Sequence, residues 1–168
     1  MAGDLAGAST QMELAPKIDP HGLYRAHDFE HMARTQALID IASGHPRKAA
    51  ERLMPFVKAG TNDVSGVQPG TARTAGWALC ESGDTPAGAR LLQRYVTEAE
   101  KIQVSSGPYL ALGRSYLGLC LLKNGDVHSA RELAALAQQA FTEQPGVSSY
   151  FRKPLAELQR RLKTGGPL

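Results

Sequence analysis

Cysteine is scarce in this chain of 168 residues, aromatic side chains make up only 6% of it, and no long apolar run is present. Without a CxxC pair, Cys80 and Cys120 do not read as metal ligands. They stand among Leu, Ala and Trp on helical patterns with no basic neighbour to activate a thiolate, so both are expected to be small buried apolar residues. No segment approaches the roughly 20 apolar residues that a membrane-spanning helix needs. The first twenty residues lack a basic start and a continuous apolar core, so they do not read as a secretory signal, and a cytoplasmic location is the expectation. A dominant charge is missing too. The chain has 19 basic against 16 acidic residues, a bias too mild to imply a nucleic-acid partner.

Signatures of chemistry are equally sparse. There is no GxSxG for a serine nucleophile, no GK[ST] ending to a phosphate loop, and no GxGxxG with a VAIK-type lysine, HRD or DFG. "HDFEH" matches the pattern H-x-x-E-H, which on a helix would set His27 and His31 one turn apart with Glu30 as a base. A catalytic zinc needs a third ligand and a substrate cleft that this short, repetitive chain does not suggest. These residues are therefore expected to be a solvated helix start, with Asp28 as cap or dipole partner. No catalytic residue, metal or cofactor is expected.

What is abundant is alanine and leucine, on a chain that is 42% hydrophobic, enough for one packed domain of helices. Residues 1–20 carry Gly, Ala, Ser and Pro without periodic hydrophobicity and read as a flexible tail or linker, with the folded domain over 21–165. Three helical hairpins follow, at about 28–59, 71–103 and 109–143, then a last helix at about 154–163. Gly44, Gly83 and Gly125 mark the three hairpin turns, and each suits the left-handed backbone that ends a helix. Asp84 or Thr85 is placed to cap the helix after the second turn and Asp126 the one after the third. The segment "KAGTNDVSGVQPG" is too rich in turn formers to be helical and reads as a loop. The basic residues of "FRKPLAELQRRLK" read as a solvated face opposite Phe151, Leu155, Leu158 and Leu162.

The turn glycines recur at spacings of 39 and 42 residues. Five residues after each comes a small residue, Ala49, Gly88 or Ala130, and Gly76 and Gly118 precede the second and third turns by seven, so that helices can approach closely. The stretches "TAGWALCESGDTPAGARLLQRY" and "SYLGLCLLKNGDVHSARELAALAQQA" carry this pattern, and it resembles the tetratricopeptide repeat family. The resemblance covers residues 28–143. Its repeats are longer than the family's usual 34 and look like those attached to bacterial regulatory proteins such as serine/threonine kinases and transcription activators. It implies an all-α, right-handed solenoid of three hairpins with a C-terminal capping helix, and a non-catalytic scaffold or regulatory module that binds protein or peptide in a concave groove. Alternatives are a small-molecule sensor domain of a larger regulator and a homo-oligomerisation module.

Counting from the small packing residues, the resemblance places His31, Arg34 and Leu38 of the first repeat, Arg73, Trp77 and Glu81 of the second, and Ser115, Leu119 and Lys123 of the third in that groove. A surface with one Trp and two Arg suits a partner that offers an aromatic contact and acidic groups, with no membrane or nucleic acid involved. Trp77 fits a core position between repeats equally well.

Overall fold

The computed structural model describes residues 4–14, 26–59, 69–102 and 107–164, and every regular element among them is an α-helix. In chain order these are α1 (Leu5–Leu14), α2 (Ala26–Ala42), α3 (Pro46–Ala59), α4 (Pro69–Ser82), α5 (Thr85–Ile102), α6 (Pro108–Lys123), α7 (Val127–Glu143) and α8 (Ser149–Thr164). Most of the loop expected after α3 lies outside the described residues. Within the segment read as a tail, Leu5–Leu14 is helical and packs against α2.

The three hairpin turns are where the glycines put them. Gly44, Gly83 and Gly125 have φ of 80°, 100° and 83°, a region that a Cβ makes costly. At Gly125 the N–H bonds to the Leu122 carbonyl and the Asp126 N–H reaches back to Leu121, each at 3.0 Å, so the last carbonyls of α6 are satisfied as the chain reverses. The Asp126 carboxylate then accepts from the Ser129 N–H at 3.0 Å, and Asp84 accepts from Ala87 at 3.2 Å in the second turn. Hydrogen bonding from Ser129 holds the Asp126 carboxyl below its ordinary range.

Close approach between helices occurs at the small residues. A Cβ on Gly88 of α5 would lie 2.7 Å from the Gly76 carbonyl oxygen and 2.8 Å from the Cys80 nitrogen, both on α4. Consecutive helices pack side by side from α2 to α8, and α2, α4, α6 and α8 also touch one another in that order. Two cores result. One joins α2 and α3 to Ala75 and Ala78 of α4; the other joins Cys80 of α4 to α5, α6, α7 and α8. Helix α6 is central to the second, with every residue from Leu110 to Cys120 buried.

The structure corrects three expectations. Cys80 and Cys120 are buried, but they are paired in a disulfide that ties α4 to α6 across a Cα separation of 5.6 Å. Helix α8 starts at Ser149, five residues before Pro154, because Phe151 packs into the second core and Arg152 is anchored on α7. Arg152 is therefore not a solvated charge. Its guanidinium donates to the carbonyl oxygens of Phe141, Gln144, Pro145 and Val147 and sits 5.2 Å from the Phe141 ring centroid. It caps the C-terminal end of α7, where a cation is favourable to the helix dipole.

Candidate functional site

Alternate helices build one shared face. A cavity of about 380 Å³ opens there. It is lined by Arg34 and Leu38 of α2, Gly70, Arg73 and Thr74 of α4, Tyr95 of α5, Tyr109 of α6, and Tyr150 and Phe151 of α8. Helical spacing explains the α4 contribution, since positions 70, 73 and 74 fall on one side of the helix. The outer wall is aromatic. Tyr109 and Tyr150 are exposed, and each meets Phe151 edge to face, at 5.1 and 5.3 Å between centroids.

Arg73 forms the floor. It is 8% exposed, its guanidinium lies 5.4 and 5.2 Å from the ring centroids of Tyr95 and Tyr109, and Nη1 donates to the Tyr95 hydroxyl at 3.0 Å. That hydroxyl in turn donates to the Tyr109 carbonyl at 3.0 Å. The relay fixes the guanidinium through the Tyr95 side chain and a backbone carbonyl, so little rotamer entropy remains to be lost on binding a ligand. Arg34 enters from α2, with Nη2 2.7 Å from His31 Nδ1. The missing side chain of Gly70 leaves room for it: a Cβ there would overlap Arg34 Nη1 and lie 3.1 Å from Cζ. Among the described residues, every ion pair involves other cations, and neither Arg34 nor Arg73 has a carboxylate partner.

Further along α4 and α6, Trp77 stacks on Tyr116 at 4.8 Å between centroids and 19° between planes. Lys123 lies 5.8 Å above the Trp77 ring, donates to the Cys80 carbonyl at 3.4 Å and pairs with Glu81. Burial pushes the Tyr116 hydroxyl far above its ordinary pKa, and the neighbouring Tyr150 adds to the shift. Trp77 is only partly buried and packs against the second core, so it sits at the edge of that core.

The residues expected in a groove thus fall into three groups. Arg34, Leu38 and Arg73 line the cavity, with His31 against Arg34. Trp77, Glu81 and Lys123 form a second contact cluster. Ser115 and Leu119 are buried and are not among the residues lining this cavity. Helix α6 is packed on several sides, by α4, α5, α7 and α8, with Leu158 of α8 on Gly118, and Ser115 returns its hydroxyl to the Ala111 carbonyl at 2.8 Å. Sequence reasoning missed Tyr95, Tyr109, Tyr150 and Phe151. The available signal was compositional, because four of the chain's five tyrosines gather at this face.

Among the described residues, no group of three or more His, Cys, Asp or Glu is placed to hold a metal ion, and no helix is long and apolar enough to cross a membrane. Glu30 and His31 lie on α2, which is helical from Ala26, so Asp28 falls inside its first turn rather than before it. The side chains of His27 and Asp28 lie outside the described residues. Compared with known proteins, the chain matches no family model, no curated protein and no solved structure.

Proposed function

We propose that this protein is a non-catalytic, tetratricopeptide-like repeat module whose α2, α4, α6 and α8 face binds a protein or peptide segment, as a scaffold or regulatory domain. The α2–α3, α4–α5 and α6–α7 hairpins are read as successive turns of a right-handed solenoid, and α8 as its cap. The observation that carries this reading is the cavity itself: side chains from five helices converge on it, and its rim exposes Tyr109 at 53% and Tyr150 at 46%. Exposed rings over a fixed Arg are the composition of binding hot spots. The volume also lies within the roughly 300–1,000 Å³ of small-molecule pockets, which supports a sensor of a small ligand as the second reading. The Cys80–Cys120 bridge fits an oxidising compartment better than the reducing cytoplasm expected from sequence.

The test is selection from an immobilised peptide library, followed by measurement of affinity and melting for Arg34→Ala and Tyr109→Ala. Both side chains line the cavity, and neither belongs to either hydrophobic core. Binding lost with melting unchanged places the ligand on this face. Peptides that bind both variants as well as the parent would move the site elsewhere.

A further inference from the structure

The cavity holds two guanidinium charges and, among the described residues, no carboxylate to balance them. A desolvated cation without a counter-ion is a costly arrangement, and Arg73 is nine-tenths buried. Tyr95 satisfies one of its N–H groups, whereas a guanidinium has five donors in a planar fork suited to oxyanions. Pro69 and Gly70 of α4 line the same space. Next to these cations stands the wall of Tyr109, Tyr150 and Phe151.

We infer that this cavity is a binding site for a phosphate monoester carried on an aromatic or apolar group, with Arg73 and Arg34 on the phosphoryl oxygens and the aromatic wall on the ester substituent. This deepens the proposed groove function and rests on it for the peptide source of the ester. Charge decides between oxyanions. A phosphate monoester carries about −1.5 to −2 near neutral pH and offers three acceptor oxygens, matching two guanidiniums, whereas a carboxylate or sulfate monoester brings one charge and leaves a cation unbalanced. The pre-set geometry of Arg73 favours tight recognition, because the Tyr95 hydroxyl, itself anchored on the Tyr109 carbonyl, already holds it. Gly70 serves the same site by leaving space for Arg34.

The experiment is calorimetric titration of the full chain with phenyl phosphate and with phenyl sulfate, which has nearly the same shape and one charge fewer. Phenyl phosphate is expected to bind about tenfold or more tightly than phenyl sulfate. Arg34→Ala and Gly70→Ala are each expected to weaken it by about tenfold, Gly70→Ala because its Cβ displaces the flexible end of Arg34 and not backbone. Both variants avoid the buried Arg73, and their melting curves report folding directly. Equal affinity for the two esters, no binding of phenyl phosphate, or folded variants with parental affinity would each overturn the assignment. A phosphotyrosine peptide flanked by alanines separates the two sources of the ester. Tighter binding than phenyl phosphate supports the peptide source. Equal binding supports the anion site and tells against the peptide groove. Library peptides that need Tyr109 but neither phosphate nor Arg34 would overturn the anion site and leave the groove standing.

Discussion

Gly88 of α5 lies directly against Cys80 of α4, so that a Cβ on the glycine would overlap the Cys80 sulfur and crowd the backbone nitrogen at 2.8 Å. The contact sets the distance between the two helices of the central hairpin and leaves space for the sulfur that bridges to α6. Gly88→Ala is therefore expected to destabilise the protein by about 1–3 kcal/mol, the usual cost of forcing atoms into a packed interior. Gly146→Ala, where a Cβ meets nothing within 4 Å, serves as the control, and urea midpoints of the two variants provide the comparison.

The disulfide closes a sequence separation of 40 residues between two helices that also carry the candidate site. On the chain-entropy model, a loop of this length is worth about 4 kcal/mol relative to the reduced chain. Reduction should lower the urea midpoint accordingly, and the Cys80→Ser, Cys120→Ser double variant should unfold at the same midpoint with or without reductant. A parent midpoint indifferent to a reductant that demonstrably opens the bond would show that burial alone holds α4 against α6.

Arg152 satisfies four carbonyl oxygens between Phe141 and Val147. Arg152→Ala should cost about 2 kcal/mol, in the range for hydrogen bonds from a charged donor. Arg152→Lys should recover only part of that loss, because an ammonium lacks the planar fork that reaches several acceptors at once. Thermal unfolding reads both, and hydrogen exchange at the end of α7 should show the loosened cap.

Glu157 accepts from Arg160 and Arg161, and these bonds, then the nearby charges, hold its pKa at about 2 instead of the ordinary 4.5. A depressed carboxyl stabilises the fold above its unfolded pKa, and that contribution disappears as pH falls from about 4.5 through about 2. The group is partly solvated, so its effect on stability is small. Glu157→Gln should remove that part of the acid dependence while leaving stability at pH 7 nearly unchanged, as acid titration of the melting temperature will show.

While α1 and the first turn of α8 were not legible in it, the sequence by itself determined helices α2 to α7, the three turns and the small-residue contacts. These depend on local physics: Gly44, Gly83 and Gly125 each meet a backbone requirement within their own turn, and Asp84 and Asp126 cap the helix that starts beside them. Spacing along one helix likewise sufficed to put Arg34 with Leu38, and Arg73 near Trp77. Tertiary structure alone decided what lies opposite those side chains. That Cys80 faces Cys120, that Ser115 and Leu119 are buried, and that Tyr95, Tyr109 and Tyr150 share a cavity with Arg73 all depend on how helices far apart in sequence are set against one another. Periodicity says which face of a helix is apolar; which neighbour covers that face depends on packing between whole elements, and the cavity exists only where such neighbours leave a gap.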